Sequence, residues 1–159
     1  MLQIQISLTD QILRLYQGNT LYKQYSVSTA LKGAGEQKNS GCTPRGKHYV
    51  RAMIGHQLPE NAVLVGRRFT GEIYDETLAA QYPHRDWILT RILWLSGVEL
   101  EKNRLGDVDT MQRYIYIHGT PDSEPMGIAL SHGCIRMRND ELIEFFELVK
   151  PGTSVNIEE

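Results

Sequence analysis

Three features of the sequence predict a mainly β fold of the α+β class. Leu2-Gln3-Ile4-Gln5-Ile6-Ser7-Leu8 alternates apolar and polar residues, the period of a half-buried strand. Tyr114-Ile115-Tyr116-Ile117 is a second, strongly β-prone run. One clear amphipathic helix stands near the C-terminus, with Leu142, Phe145, Phe146 and Val149 at i, i+3, i+4 and i+7.

The remaining elements follow in chain order. After the first strand, Ile12 to Gln17 and Leu21 to Ser28 flank Gly18-Asn19 and read as a hairpin, the glycine supplying the positive φ of a tight turn. Lys32 to Gly46 is rich in Gly, Asn, Ser and Lys and reads as a loop, and Lys47 to Met53 as a further strand. No element is assigned between residues 55 and 85. Asp86, a good N-cap, predicts a helix through Leu95 that stops at Gly97. The Tyr114–Ile117 strand delivers His118. Asn139 is expected to cap the last helix, Pro151-Gly152 to end it, and Val155 to Ile157 to return as a strand. The 159 residues are one domain's worth of chain, with no internal repeat and no linker, so the sequence is taken as a single domain, 1–159.

Composition narrows the function. Lys plus Arg number 17 against 19 Asp plus Glu, for a net charge of -2, without the basic excess of a nucleic-acid binder. The most apolar stretch, Trp87 to Leu95, is interrupted by Thr90 and Arg91 and falls well short of the ~20 residues of a membrane span. Two cysteines are too few for a disulfide scaffold. Met1 is followed at once by a strand and by no secretory signal, so a cytoplasmic setting is expected, or a periplasmic one if a signal has been removed. The oligomeric state is left open.

The chemistry gathers in three side chains, His118, His132 and Cys134. A cysteine in a Gly-containing bend before a helix, beside an imidazole, has two reasons to be a thiolate at neutral pH. The amides of Gly133 and Cys134 can converge as an oxyanion hole. If Ser131 to Arg136 is extended, His132, Cys134 and Arg136 share one face, and Arg136 suits a substrate carboxylate. A lone cysteine is most often a small buried hydrophobe and a lone histidine structural; clustering with glycine and arginine raises both above that baseline. Zinc ligation by His118, His132 and Cys134 is chemically open, though only one cysteine and no nearby fourth ligand are present. Cys42 is read as incidental, and His48, His56 and His84 as structural or solvated. Arg67-Arg68 and Arg91 are read evenly as solvated surface or as lining a site for an acidic ligand.

Tyr116-Ile117-His118-Gly119-Thr120, followed by Ser131-His132-Gly133-Cys134-Ile135-Arg136-Met137, resembles the signature of the L,D-transpeptidase catalytic (YkuD) domain family. Tyr25-Ser26-Val27-Ser28-Thr29-Ala30 is similar to the family's early VSTG strand, with Ala30 where glycine is commoner. Thr43-Pro44-Arg45-Gly46 is similar to its TPxG turn, and Gly152-Thr153-Ser154-Val155 to its closing GTxV strand.

The resemblance implies a curled, mostly antiparallel β-sandwich with peripheral helices, and no cofactor or metal. It implies Cys134 as nucleophile, His118 as base oriented by the Gly119 carbonyl, His132 lining the site, and Gly133 and Cys134 amides as the oxyanion hole. Ser131, Arg136, Arg68 and Arg91 are carried as substrate contacts. The implied substrate is a peptidoglycan stem tetrapeptide or a soluble muropeptide. The thiolate displaces terminal D-Ala to leave a thioester, which water or a second stem amine resolves. An L,D-carboxypeptidase of muropeptide recycling is expected, with a cross-linking transpeptidase and a non-catalytic muropeptide sensor as alternatives.

Overall fold

Alternation at the N-terminus places Ile4 and Ile6 in the interior and leaves Gln3 exposed. The computed structural model describes all 159 residues. Its first strand, β1 (Leu2–Ser7), pairs antiparallel with β2 (Ile12–Gln17), so that Ile4 faces Leu15 and Ile6 faces Leu13. Strand β3 (Thr20–Ser26) completes the hairpin through a two-residue turn whose first position, Gly18, has φ 61°. The C-terminal strand β10 (Ser154–Glu158) returns to lie parallel to β1 and antiparallel to β4 (Gly46–Ile54).

Beyond β4 lies β7 (Leu89–Gly97), which pairs with β4, with β5 (Ala62–Val65) and with β8 (Tyr116–Gly119). Strand β6 (Arg68–Ile73) forms a hairpin with β5, and the short β9 (Ile135–Met137) lies parallel to β8. Two helices complete the chain, α1 (Glu76–Gln81) and α2 (Asn139–Leu148). The sheet curls on itself: the inner faces of β1, β2 and β10 meet β7, β8, β9 and α2 around one 19-residue apolar core. Leu142, Phe145 and Phe146 are the buried apolar face of α2, at the predicted spacing. No helix is long and apolar enough to cross a membrane.

Four expectations are corrected. The helix predicted over Asp86–Leu95 is strand β7, because its apolar run is buried on both faces, Leu93 and Leu95 in the main core and Ile92 in a smaller cluster with Leu64 and Tyr116, and has no need of an amphipathic period. The segment 55–85, left without elements, holds β5, β6 and α1, the helix capped by Asp75, whose carboxylate accepts from the Leu78 amide at 2.7 Å. Asn139 is not the cap of α2. Arg138 occupies that position, and Asn139 turns inward, accepting from Thr90 Oγ1 at 2.7 Å and donating to the Thr120 carbonyl at 2.9 Å. The predicted strand at 114–117 begins two residues later, since Tyr114 lies at φ 57° in a turn.

Candidate active site

The parallel pairing of β8 with β9 positions the reactive side chains. Ile117 is the register partner of Ile135, and both enter the main core. His118 and its register partner Arg136 therefore point to the opposite face, and two residues earlier Tyr116 and Cys134 stand beside each other. The His118 ring is buried, with Nδ1 2.6 Å from the carbonyl oxygen of Gly119. A carbonyl only accepts, so Nδ1 carries the proton and Nε2 is the free base. Only glycine fits at 119: a Cβ there would lie 2.6 Å from the Leu89 carbonyl oxygen and closer still to Asn139 Oδ1.

Cys134 sits at the end of the bend before β9. Its Sγ donates to the Tyr114 carbonyl and accepts from the Tyr116 amide, each at 3.3 Å. The bend is held from three sides. Ser131 Oγ donates to the Cys134 carbonyl at 2.6 Å and accepts from the Gly133 amide at 3.2 Å. Thr43 Oγ1 donates to the Gly133 carbonyl at 2.8 Å, while itself accepting from the Ala30 amide at 3.0 Å. Ser28 exchanges both backbone hydrogen bonds with Arg136. Gly133 takes φ 134°, and a Cβ there would press on the Cys42 carbonyl oxygen at 3.3 Å.

His118 and Cys134 open onto one cavity of about 470 Å³, with Arg67, Asp86, Arg113 and Arg136 on its walls. Burial pushes the Cys134 thiol up to about 12, against the pull of the Tyr116 amide and of Arg136 and Arg113. Burial likewise holds His118 below the usual imidazole value. Both shifts favour the uncharged thiol and imidazole, against the thiolate expected from the sequence, because desolvation opposes the nearby positive charge.

The family model for the L,D-transpeptidase catalytic domain (YkuD) matches residues 2–157. The chain belongs to this family. An inferred L,D-transpeptidase of Bacillus licheniformis, YkuD, is 28% identical over 155 residues, 98% of this chain and 64% of the relative. An inferred L,D-transpeptidase of Bacillus subtilis, YqjB, is 49% identical over 41 residues, 26% of this chain and 23% of that protein. Among solved structures, L,D-transpeptidase 3 of Mycobacterium tuberculosis with a faropenem-derived adduct aligns with TM-score 0.61 at 13% identity, over 99% of this chain and 60% of that one. A cysteine-to-serine mutant of the Enterococcus faecium L,D-transpeptidase aligns with TM-score 0.58 at 18% identity, over 98% of this chain and 49% of that one. These structures share the fold. The chain spans less than two thirds of the length of these relatives.

In this L,D-transpeptidase domain the sequence-predicted residues separate into two groups. His118, Ser131, His132, Cys134 and Arg136 line the cavity, with the Gly119 carbonyl behind His118. Arg68 does not: it is exposed on β6, and its neighbour Arg67 reaches the cavity instead, because the Gly66–Arg67 turn directs the two side chains apart. Arg91 is buried elsewhere, donating to the Leu58 and Thr90 carbonyls at 2.8 Å and lying over the Phe146 ring.

Nor is the stretch before β9 extended, since Gly133 breaks the alternation and leaves His132 74% exposed while Arg136 is 9% exposed. Of the two expected oxyanion donors, the Gly133 amide is engaged by Ser131 Oγ and the Cys134 amide has no partner within the protein. His118, His132 and Cys134 are not a metal-ligand cluster.

Sequence reading misses Asp86, which sits 3.3 Å from both His132 Nδ1 and Arg136 Nη2. It also misses Arg113, which donates to the Cys42 carbonyl at 2.6 Å and the Gly35 carbonyl at 3.2 Å. Neither carries a local motif. Asp86 resembles a helix cap, and Arg113 reaches the site only through the turn before β8.

Proposed function

We propose that this domain is a cysteine acyl-transfer enzyme that removes terminal D-Ala from a peptidoglycan stem tetrapeptide, with water as final acceptor. The observation that carries the reading is the shared face of β8 and β9, on which Cys134 and a His118 with its Nδ1 proton committed to Gly119 open onto one cavity. The relatives' names point to the same bond chemistry, and the faropenem-derived adduct and cysteine-to-serine mutant among the structural neighbours are consistent with a cysteine nucleophile.

In this mechanism His118 Nε2 takes the thiol proton as Sγ attacks the carbonyl carbon of the third stem residue. The negative oxygen meets the Cys134 amide, and Gly133 joins it if Ser131 Oγ releases its amide. Collapse breaks the C–N bond, His118 returns its proton to the departing D-Ala nitrogen, and a thioester remains. Water, deprotonated by the same imidazole, then releases the tripeptide.

Water is favoured as acceptor by the size of the site. The cavity has room for the end of one peptide, and the other sizeable cavities share no residue with it. Water at about 55 M competes well with any amine not held in place. Soluble muropeptides, met in the cytoplasm, are the proposed substrates; the relatives' names favour the alternative, transfer to a second stem amine. Mass analysis after incubation with a stem tetrapeptide, with and without millimolar second stem, separates the two. Tripeptide and free D-Ala in both samples support the proposal. A dominant cross-linked dimer assigns the domain to transpeptidation, and binding without either product assigns it to sensing.

A further inference from the structure

The cavity holds three guanidinium groups but only one carboxylate, Asp86. That carboxylate is committed to Arg136 and His132, and Arg136 has a second carboxylate neighbour in Glu124 at 3.9 Å. Arg136, the arginine in the motif, is therefore already neutralised. Arg67 and Arg113 are not: neither has a carboxylate within 4.0 Å.

Both are nevertheless fixed in place by neutral groups. Arg67 lies over the Trp94 ring at 4.4 Å and the Tyr114 ring at 5.2 Å, and donates to the Tyr116 hydroxyl at 3.1 Å. Arg113 is half-buried and held by the carbonyls of Gly35 and Cys42 and by Ser40 Oγ. Preorganised cations without a carboxylate partner favour an incoming anion.

We infer that Arg67 and Arg113, rather than Arg136, form the subsite for a substrate carboxylate beside the scissile bond. The inference rests on the acyl-transfer reading above. Two carboxylates of a stem peptide have the right chemistry, the terminal one on D-Ala and one on the side chain of the third residue. Recognition of the second would select a diamino dicarboxylic acid over a plain diamino acid.

The test compares three forms of one synthetic tetrapeptide: unmodified, amidated at the C-terminus, and amidated at the third-residue side chain. D-Ala release and calorimetric affinity are measured for the wild type, Arg67→Gln and Arg113→Lys, with thermal unfolding as a check that each variant folds. One amidation is expected to lower wild-type kcat/KM or affinity by about tenfold or more. Arg67→Gln should cause a similar loss on the unmodified peptide but little further loss on that amide, and the coupled form identifies the carboxylate. Arg113→Lys, which keeps the charge and loses the fork, should give a smaller loss with the same coupling. Equal losses on all three peptides, or none, overturn the subsite. If the wild type releases D-Ala from no form, the acyl-transfer reading fails, while the affinities still judge the subsite.

Discussion

Cys134 is a residue whose neighbours were legible in the sequence but whose protonation was not. The motif brings His118 and Arg136 near it, yet burial raises its thiol to about 12. Alkylation of Cys134 by iodoacetamide is therefore expected to rise about tenfold per pH unit from about pH 7 to about pH 10; a plateau near neutrality would indicate a resting thiolate pair instead. Turnover by the proposed mechanism, by contrast, needs His118 neutral. Because burial lowers its value, the acid limb of kcat/KM should lie below pH 6.5.

His48 offers a stability test at the same scale. It is buried between the Gly46 carbonyl and Thr110 Oγ1, and burial lowers it from 6.5 to about 4. Between those values the unfolded chain binds the proton and the folded chain does not, so stability falls as pH drops through this window, by up to about 3 kcal/mol. His118 adds in the same direction. Urea midpoints at both ends of the window should differ less for His48→Gln than for the wild type.

Strands with a single buried face, such as β1 and β2, announced themselves by alternation, and α2 by its apolar stripe. Strand β7 did not, because a strand covered on both faces carries no period and its apolar run resembles a helix until length and neighbours are known. The same blind spot hid Asp86, whose approach to the cavity depends on where β7 lies, and the choice of Arg67 over Arg68, which depends on the β5–β6 turn. Other motif segments were visible but their purpose was not: Thr43 of the Thr43–Gly46 turn braces the Gly133 carbonyl from 90 positions away. Thr43→Val keeps the shape and leaves that buried carbonyl unpaired, so a loss of about 1–3 kcal/mol and a larger fall in kcat than in KM are expected. Gly119→Ala should cost at least as much, since its Cβ meets Leu89 and Asn139 backbone and side-chain oxygens. Thermal unfolding and steady-state kinetics of the two variants check both; wild-type behaviour in either would contradict the bracing described here.

The whole molecule is a curled sheet whose two faces do different work. The side chains of β8 and β9 that point inward join the core, while those pointing outward make the cavity, so the site is carried on rigid strands rather than on a loop. With a net charge of -2 the chain as a whole offers an acidic peptide no attraction, so in the proposed reaction recognition falls to the arginines around the cavity. The most direct test is intact-protein mass spectrometry, rapidly quenched after mixing with a stem tetrapeptide, paired with an assay of free D-Ala. The wild type is expected to show a transient tripeptidyl adduct on Cys134 together with D-Ala release, and Cys134→Ala, still folded, to show neither. Undiminished D-Ala release by Cys134→Ala, or a wild type that forms no adduct and frees no D-Ala, would contradict the account.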